Sequence, residues 1–145
     1  MKRIFPFLVL LMAISYAGGP LHTEALSFLE RVYSQGFTGT GIIDCRLNLL
    51  EPCTVMVYPP LSSSAEGFYA ALGGNNILNL DLRLEGDDWF LEDSTPDDLP
   101  VLCVDSAQVS GGIRLIICAT DMIRGFRSDS IAIVWAFSPV DRNEE

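Results

Sequence analysis

Histidine and lysine are almost missing from this chain. His22 is the one histidine and Lys2 the one lysine among 145 residues. A single imidazole argues against the multi-histidine sites of zinc enzymes, and no H-E-x-x-H or G-x-S-x-G occurs. There is no CxxC pair either. Cys45, Cys53, Cys103 and Cys118 are separated by 7, 49 and 14 residues, which is not a zinc-ligand spacing. No apolar run reaches the ~20 residues of a membrane helix. No stretch alternates strand with helix, and no repeat or low-complexity segment is present. Without a nucleophile–base motif no reaction can be named, and the sequence reads as non-catalytic.

What is present begins with an export signal. Lys2 and Arg3 precede an apolar run from Ile4 to Ile14, and Ser15-Tyr16-Ala17 places small residues at a cleavage site. Residues 1–17 read as a signal peptide, with an uncleaved anchor as the alternative. Cleavage after Ala17 leaves 128 residues, seven arginines and all nineteen acidic residues, a net charge of −12. That charge repels nucleic acid and anionic membranes and favours solubility and divalent or cationic partners. Four cysteines behind an export signal predict two disulfides in a secreted or periplasmic protein.

Residues 23–35, TEALSFLERVYSQ, predict the one helix. Thr23 would cap it, Gly36 would close it, and Leu26, Leu29, Val32 and Tyr33 form an apolar stripe. The stripe either packs on the main domain or presents itself to another protein.

From Phe37 the texture changes to short apolar runs broken by Gly, Pro, Ser and Asn. Strands are predicted at 42–49, 54–58, 67–72, 77–85, 88–92, 100–107, 113–119 and 130–137. Their spacing predicts an all-β antiparallel sandwich or barrel over 37–139, with 18–36 as the helical segment and 140–145 as a polar tail. In 77–85, Leu78, Leu80, Leu82 and Leu84 share one face, and Asn79, Asp81, Arg83 and Glu85 the other. In 130–137 both faces are apolar. Ile131, Ile133, Trp135 and Phe137 line one face and Ala132, Val134 and Ala136 the other, which predicts a central strand covered by the helix. The runs 100–107 and 113–119 read as a hairpin turning at Ser110-Gly111, with Cys103 opposite Cys118. That register predicts a Cys103–Cys118 bridge and leaves Cys45–Cys53, although four cysteines allow three pairings.

A set of motifs then falls in order: Gly67-Phe68-Tyr69, NLDLRL at 79–84, Glu92-Asp93 followed by DDLP at 97–100, and Gly111-Gly112-Ile113-Arg114-Leu115. In this order they resemble the bacterial pre-peptidase C-terminal domain, over about residues 37 to 137. The resemblance implies a secreted, jelly-roll-like β-sandwich, in a family where some members bind calcium and some bind polymers such as collagen or glycans. Asn79 stands where that family's pattern has Asp, and Ile113 where it has Tyr.

Between Asn79 and Pro100, eight of 22 residues are acidic. Calcium takes 6–8 oxygen ligands. Asn79, Asp81, Asp93, Asp97 and Asp98 are the candidate set, with Glu92 beside them. The competing reading makes Gly86-Asp87-Asp88 and Ser94 to Asp98 turn formers whose charge keeps strand edges soluble. Trp89 and Tyr69 are the candidate aromatic platform for a glycan or peptide. The functional expectation is a secreted, non-catalytic module that binds or stabilises, with a weak calcium site. The alternatives are a glycan- or peptide-binding module, or a structural or inhibitory partner of another secreted protein.

Overall fold

Strands form where apolar side chains recur at every second position, because an extended backbone turns alternate side chains to opposite faces. β7 (Ile113–Met122) shows the rule: Ile113, Leu115, Ile117 and Ala119 point inward and are buried, while Arg114, Ile116, Cys118 and Thr120 point outward. The computed structural model describes residues 21–37, 39–58, 66–104 and 112–138. The expected signal peptide at 1–17 and tail at 140–145 lie outside the described residues.

The elements are helix α1 (residues 21–34), β1 (Gly39–Asn48), β2 (Cys53–Val57), β3 (Gly67–Gly73), β4 (Ile77–Glu85), β5 (Phe90–Asp93), β6 (Val101–Val104), β7 and β8 (Ser128–Phe137). All eight expected strands are found. They form two four-stranded sheets, ordered β1-β8-β3-β6 and β2-β7-β4-β5, with every neighbouring pair antiparallel. Every connection but β4–β5 crosses between sheets, and this strand order is that of an eight-stranded jelly roll. The protein is therefore an all-β sandwich with one helix.

Leu47, Tyr69, Leu80, Leu82, Leu84, Leu115, Ile117, Ile131 and Ile133 pack between the sheets. A second, smaller cluster lies outside the first sheet. There Ala25 and Leu29 of α1 meet Ala70, Leu72, Ala132 and Val134. Small residues on β3 and β8 let the helix approach closely, so one sheet is covered and the other is left open by the described residues. β8 sits centrally, as its two apolar faces require. Burying Leu29 contributes roughly 1.5–3 kcal/mol. His22 Nδ1 pairs with Asp44 Oδ2 and so ties α1 to β1. Gly36, at φ 98°, ends the helix in the left-handed conformation that glycine adopts without strain.

Three expectations need correction. The helix stripe is Ala25, Leu29 and Val32, whereas Tyr33 is 61% exposed and Leu26 half-buried. The helix axis is rotated from the expected stripe because alanine, not tyrosine, fits against the alanine-rich sheet face. In β4 the alternation breaks at a bulge between Ile77 and Leu80, so Ile77 is inside and Leu78 is 49% exposed. The hairpin of 100–107 with 113–119 does not form: β6 pairs with β3 and β7 with β4, in different sheets. Cys103 stands opposite Phe68, and Cys118 opposite Asp81. The core separates these two cysteines, so the expected Cys103–Cys118 register is lost.

Candidate functional site

The open sheet turns Asn79, Asp81 and Arg83 of β4, Cys118 and Thr120 of β7, and Glu92 of β5 outward. Asn79 Nδ2 donates to Thr120 Oγ1 at 2.7 Å, which fixes the amide and leaves Asn79 Oδ1 buried without a partner. Asp81 Oδ1, two residues on, is also buried and unpartnered. Burial, then the neighbouring charges of Glu92 and Asp93, push the Asp81 carboxyl above its usual 3.8. Two acceptor oxygens with nothing to accept thus belong to residues that share one strand face.

The other expected ligands do different work. Asp93 points towards the gap between β5 and β6. Its Oδ2 accepts from Val101 N at 2.9 Å and its Oδ1 from Thr95 N at 3.0 Å. Burial raises its carboxyl, but the bonds from Val101 and Thr95 outweigh burial and hold it below 3.8. Asp93 therefore laces the edge of the open sheet to the edge of the covered one. Asp97 Oδ1 accepts from Leu99 N at 3.0 Å, an Asx-turn, and its carbonyl accepts from Leu80 N at 2.8 Å. The Asp98 carbonyl accepts from Gly73 N at 2.9 Å. Asn79 and Asp81 share a strand face, while Asp93 is turned into the sandwich edge and Asp97 bonds backbone. Among the described residues no group of three or more His, Cys, Asp and Glu side chains is placed to hold a metal ion.

The aromatic platform is rearranged. Tyr69 is fully buried, edge-on to Phe137 at 6.0 Å between centroids, with its hydroxyl unpartnered. Burial pushes its phenol up, and no ring face is left for a ligand. Trp89 is half-buried and packs on the core. The exposed ring of this region is Phe90, at 57% exposure, with the Arg83 guanidinium 4.0 Å above its centroid.

Cys45 of β1 and Cys53 of β2 meet where the two sheets join, as thiols with sulfurs 3.8 Å apart. Burial and the neighbouring Cys53 push the Cys45 thiol up to about 12. Cys103 is exposed on the outer side of the covered sheet.

Two features escaped the sequence reading. Thr120 anchors Asn79, but only the β4–β7 register brings them together. Leu50 adopts φ 65°, a left-handed conformation unusual for a leucine, in the turn between Cys45 and Cys53.

No family model and no curated protein matches the chain. Among solved structures, one titled "Crystal Structure of FLHE" is similar at 11% identity and TM-score 0.32, covering 70% of this chain and 100% of that one.

Proposed function

We propose that the protein is a secreted, non-catalytic jelly-roll module that binds on the bare face of its open sheet, with a weakly held calcium ion at Asn79 and Asp81. Export rests on the pattern at residues 1–17. The observation that carries the site is the pair of buried, unpartnered oxygens, Asn79 Oδ1 and Asp81 Oδ1. A buried acceptor without a partner costs about 1–3 kcal/mol. On a sheet face, unlike the Tyr69 hydroxyl in the core, an ordered water or an ion can satisfy such atoms.

The fit to calcium is partial. Asn79 and Asp81 would supply side-chain oxygens, and Glu92 is the nearby carboxylate whose charge acts on Asp81. Asp93 is left out of this reading because both its carboxylate oxygens accept from backbone N–H groups, and Asp97 because its Oδ1 closes a turn on Leu99 N. Asp98 is left out because no contact among the described residues ties its carboxylate to Asn79 or Asp81. Calcium takes about 6–8 oxygens, so water would fill most of its shell and the dissociation constant would fall near 10⁻⁴–10⁻³ M. When bound, the ion would supply positive charge that offsets the repulsion between Asp81 and Glu92.

The test is a thermal melt of the mature protein in EDTA, calcium or magnesium at fixed ionic strength. A ligand that binds only the native state raises its stability by RT ln(1 + [L]/Kd). A rise specific to calcium and absent in Asp81→Asn supports the site. Equal small rises with both ions mean surface screening, and the cation proposal fails.

A further inference from the structure

α1 does not cover the whole of its sheet. Beside it, on the β6 side, run two adjoining depressions of about 390 and 300 Å³ that share Phe28 and Arg31. Leu72 and Leu99 line the first, and Phe68 and Val101 the second. The second depression is the more apolar; Thr23, Glu24 and Ser27 add polar walls to the first. Phe28 and Phe68 lie 5.6 Å apart, centroid to centroid, and the Arg31 guanidinium stands 5.9 Å from the Phe28 ring. Arg31 makes no ion pair among the described residues. It is one of seven cations left after cleavage in a chain with nineteen acidic residues.

The groove runs along a strand edge. β6 is the last strand of its sheet and pairs with β3 alone. The bond from Ala71 N to Pro100 O sets the phase of that ladder. In an antiparallel pair hydrogen-bonded and non-bonded positions alternate. Tyr69–Leu102 and Gly67–Val104 are therefore the bonded pairs, and the backbone groups of Val101 and Cys103 point away from β3. Val101 N is taken by Asp93. The Val101 carbonyl and the Cys103 N–H and carbonyl face outward, with no partner among the described residues.

We propose that this groove docks an extended peptide segment of a partner protein, added as a fifth strand beside β6, with a carboxylate of that segment opposite Arg31. Strand addition takes its affinity from main-chain hydrogen bonds and its specificity from side-chain pockets. Here the two depressions supply the pockets. Among the described residues Arg31 is the one charged side chain lining the depression against β6, while Glu24 lines only the other, so the β6 side selects a carboxylate by charge complementarity. The proposal uses the opposite side of the molecule from Asn79 and Asp81 and stands whether or not calcium binds.

The test is fluorescence anisotropy with an acetylated, dye-labelled five-residue peptide of alternating Val and Phe, as free C-terminal acid and as amide. The acid binds the wild-type protein about three- to fivefold more tightly than the amide, the range of an exposed ion pair. Arg31→Gln abolishes that preference. Cys103→Pro removes the outward N–H, a change an edge strand tolerates, and weakens acid and amide alike, whereas Cys103→Ala leaves both unchanged. Melts of each variant confirm that it folds. Equal affinity for acid and amide, no binding of either peptide, or binding indifferent to Cys103→Pro in a folded variant overturns the proposal.

Discussion

On the covered sheet the outward residues at the centre are Ala70, Ala132 and Val134; on the open sheet they are Asn79, Asp81, Cys118 and Thr120. The first set is small and apolar, so α1 settles on it and water leaves. The second set carries polar groups that a helix could not satisfy, and it stays bare. The same alternation inside each strand yields one buried face in both sheets. The residues turned outward decide which sheet takes the helix and which the described residues leave open.

The sharpest way to break this contrast is to put one charge on each side. Leu29→Asp places an unpaired carboxylate under α1 and should lower stability by about 3–5 kcal/mol in a urea titration. Met56→Asp, on the open sheet at 44% exposure, should change it by no more than about 0.5 kcal/mol. If the two changes cost the same, α1 does not seal its sheet.

The next comparison is between the two edges that join the sheets. At one edge, oxidation of Cys45 and Cys53 to a disulfide would close a short loop and should stabilise by about 2 kcal/mol. Peptide mapping of the oxidised protein should recover Cys45 linked to Cys53 and never Cys103 linked to Cys118. At the other edge, Asp93→Asn should cost about 1–2 kcal/mol at neutral pH, since it weakens bonds to Val101 N and Thr95 N.

Acid separates Asp93 from Asp81. The folded Asp93 carboxyl sits below 3.8, so its contribution is present above 3.8 and is lost as pH falls through its lower folded value. The folded Asp81 carboxyl sits above 3.8, so its ionisation opposes folding at neutral pH, and that penalty vanishes once the pH drops below 3.8. Without calcium, Asp81→Asn should therefore raise stability at pH 7 by less than about 1 kcal/mol and leave it unchanged in acid. Asp93→Asn should show the opposite sign and also converge on wild type in acid.

The strands were legible in the sequence because alternation and turn residues are local. Ile131 to Phe137, apolar on both faces, announced both a central position and the helix over Ala132 and Val134. Pairing partners were not legible in the same way. Val101 to Val104 carries a pattern that suits either β3 or β7, and only closure of the jelly roll selects β3. The bulge at Leu78 and Asn79 was hidden for the same reason, since it answers to the register of β7. Asp97 as a turn former could be read from Asp-Asp-Leu-Pro. Asp93 reaching Val101 in the opposite sheet could not. The shared strand face of Asn79 and Asp81 could be read from their spacing, while the burial of Tyr69 could not, because a tyrosine gives no local sign of which side of a sheet it occupies.

The proposed ligand site lies on the face of the open sheet at Asn79 and Asp81. An amide-resolved NMR titration of the mature protein with calcium, with magnesium as control, tests it most directly. Calcium-specific shifts should centre on Asn79, Asp81, Glu92 and Thr120, with residues under α1 unmoved. Shifts spread evenly over the acidic surface, or confined to residues 94–99, would contradict it.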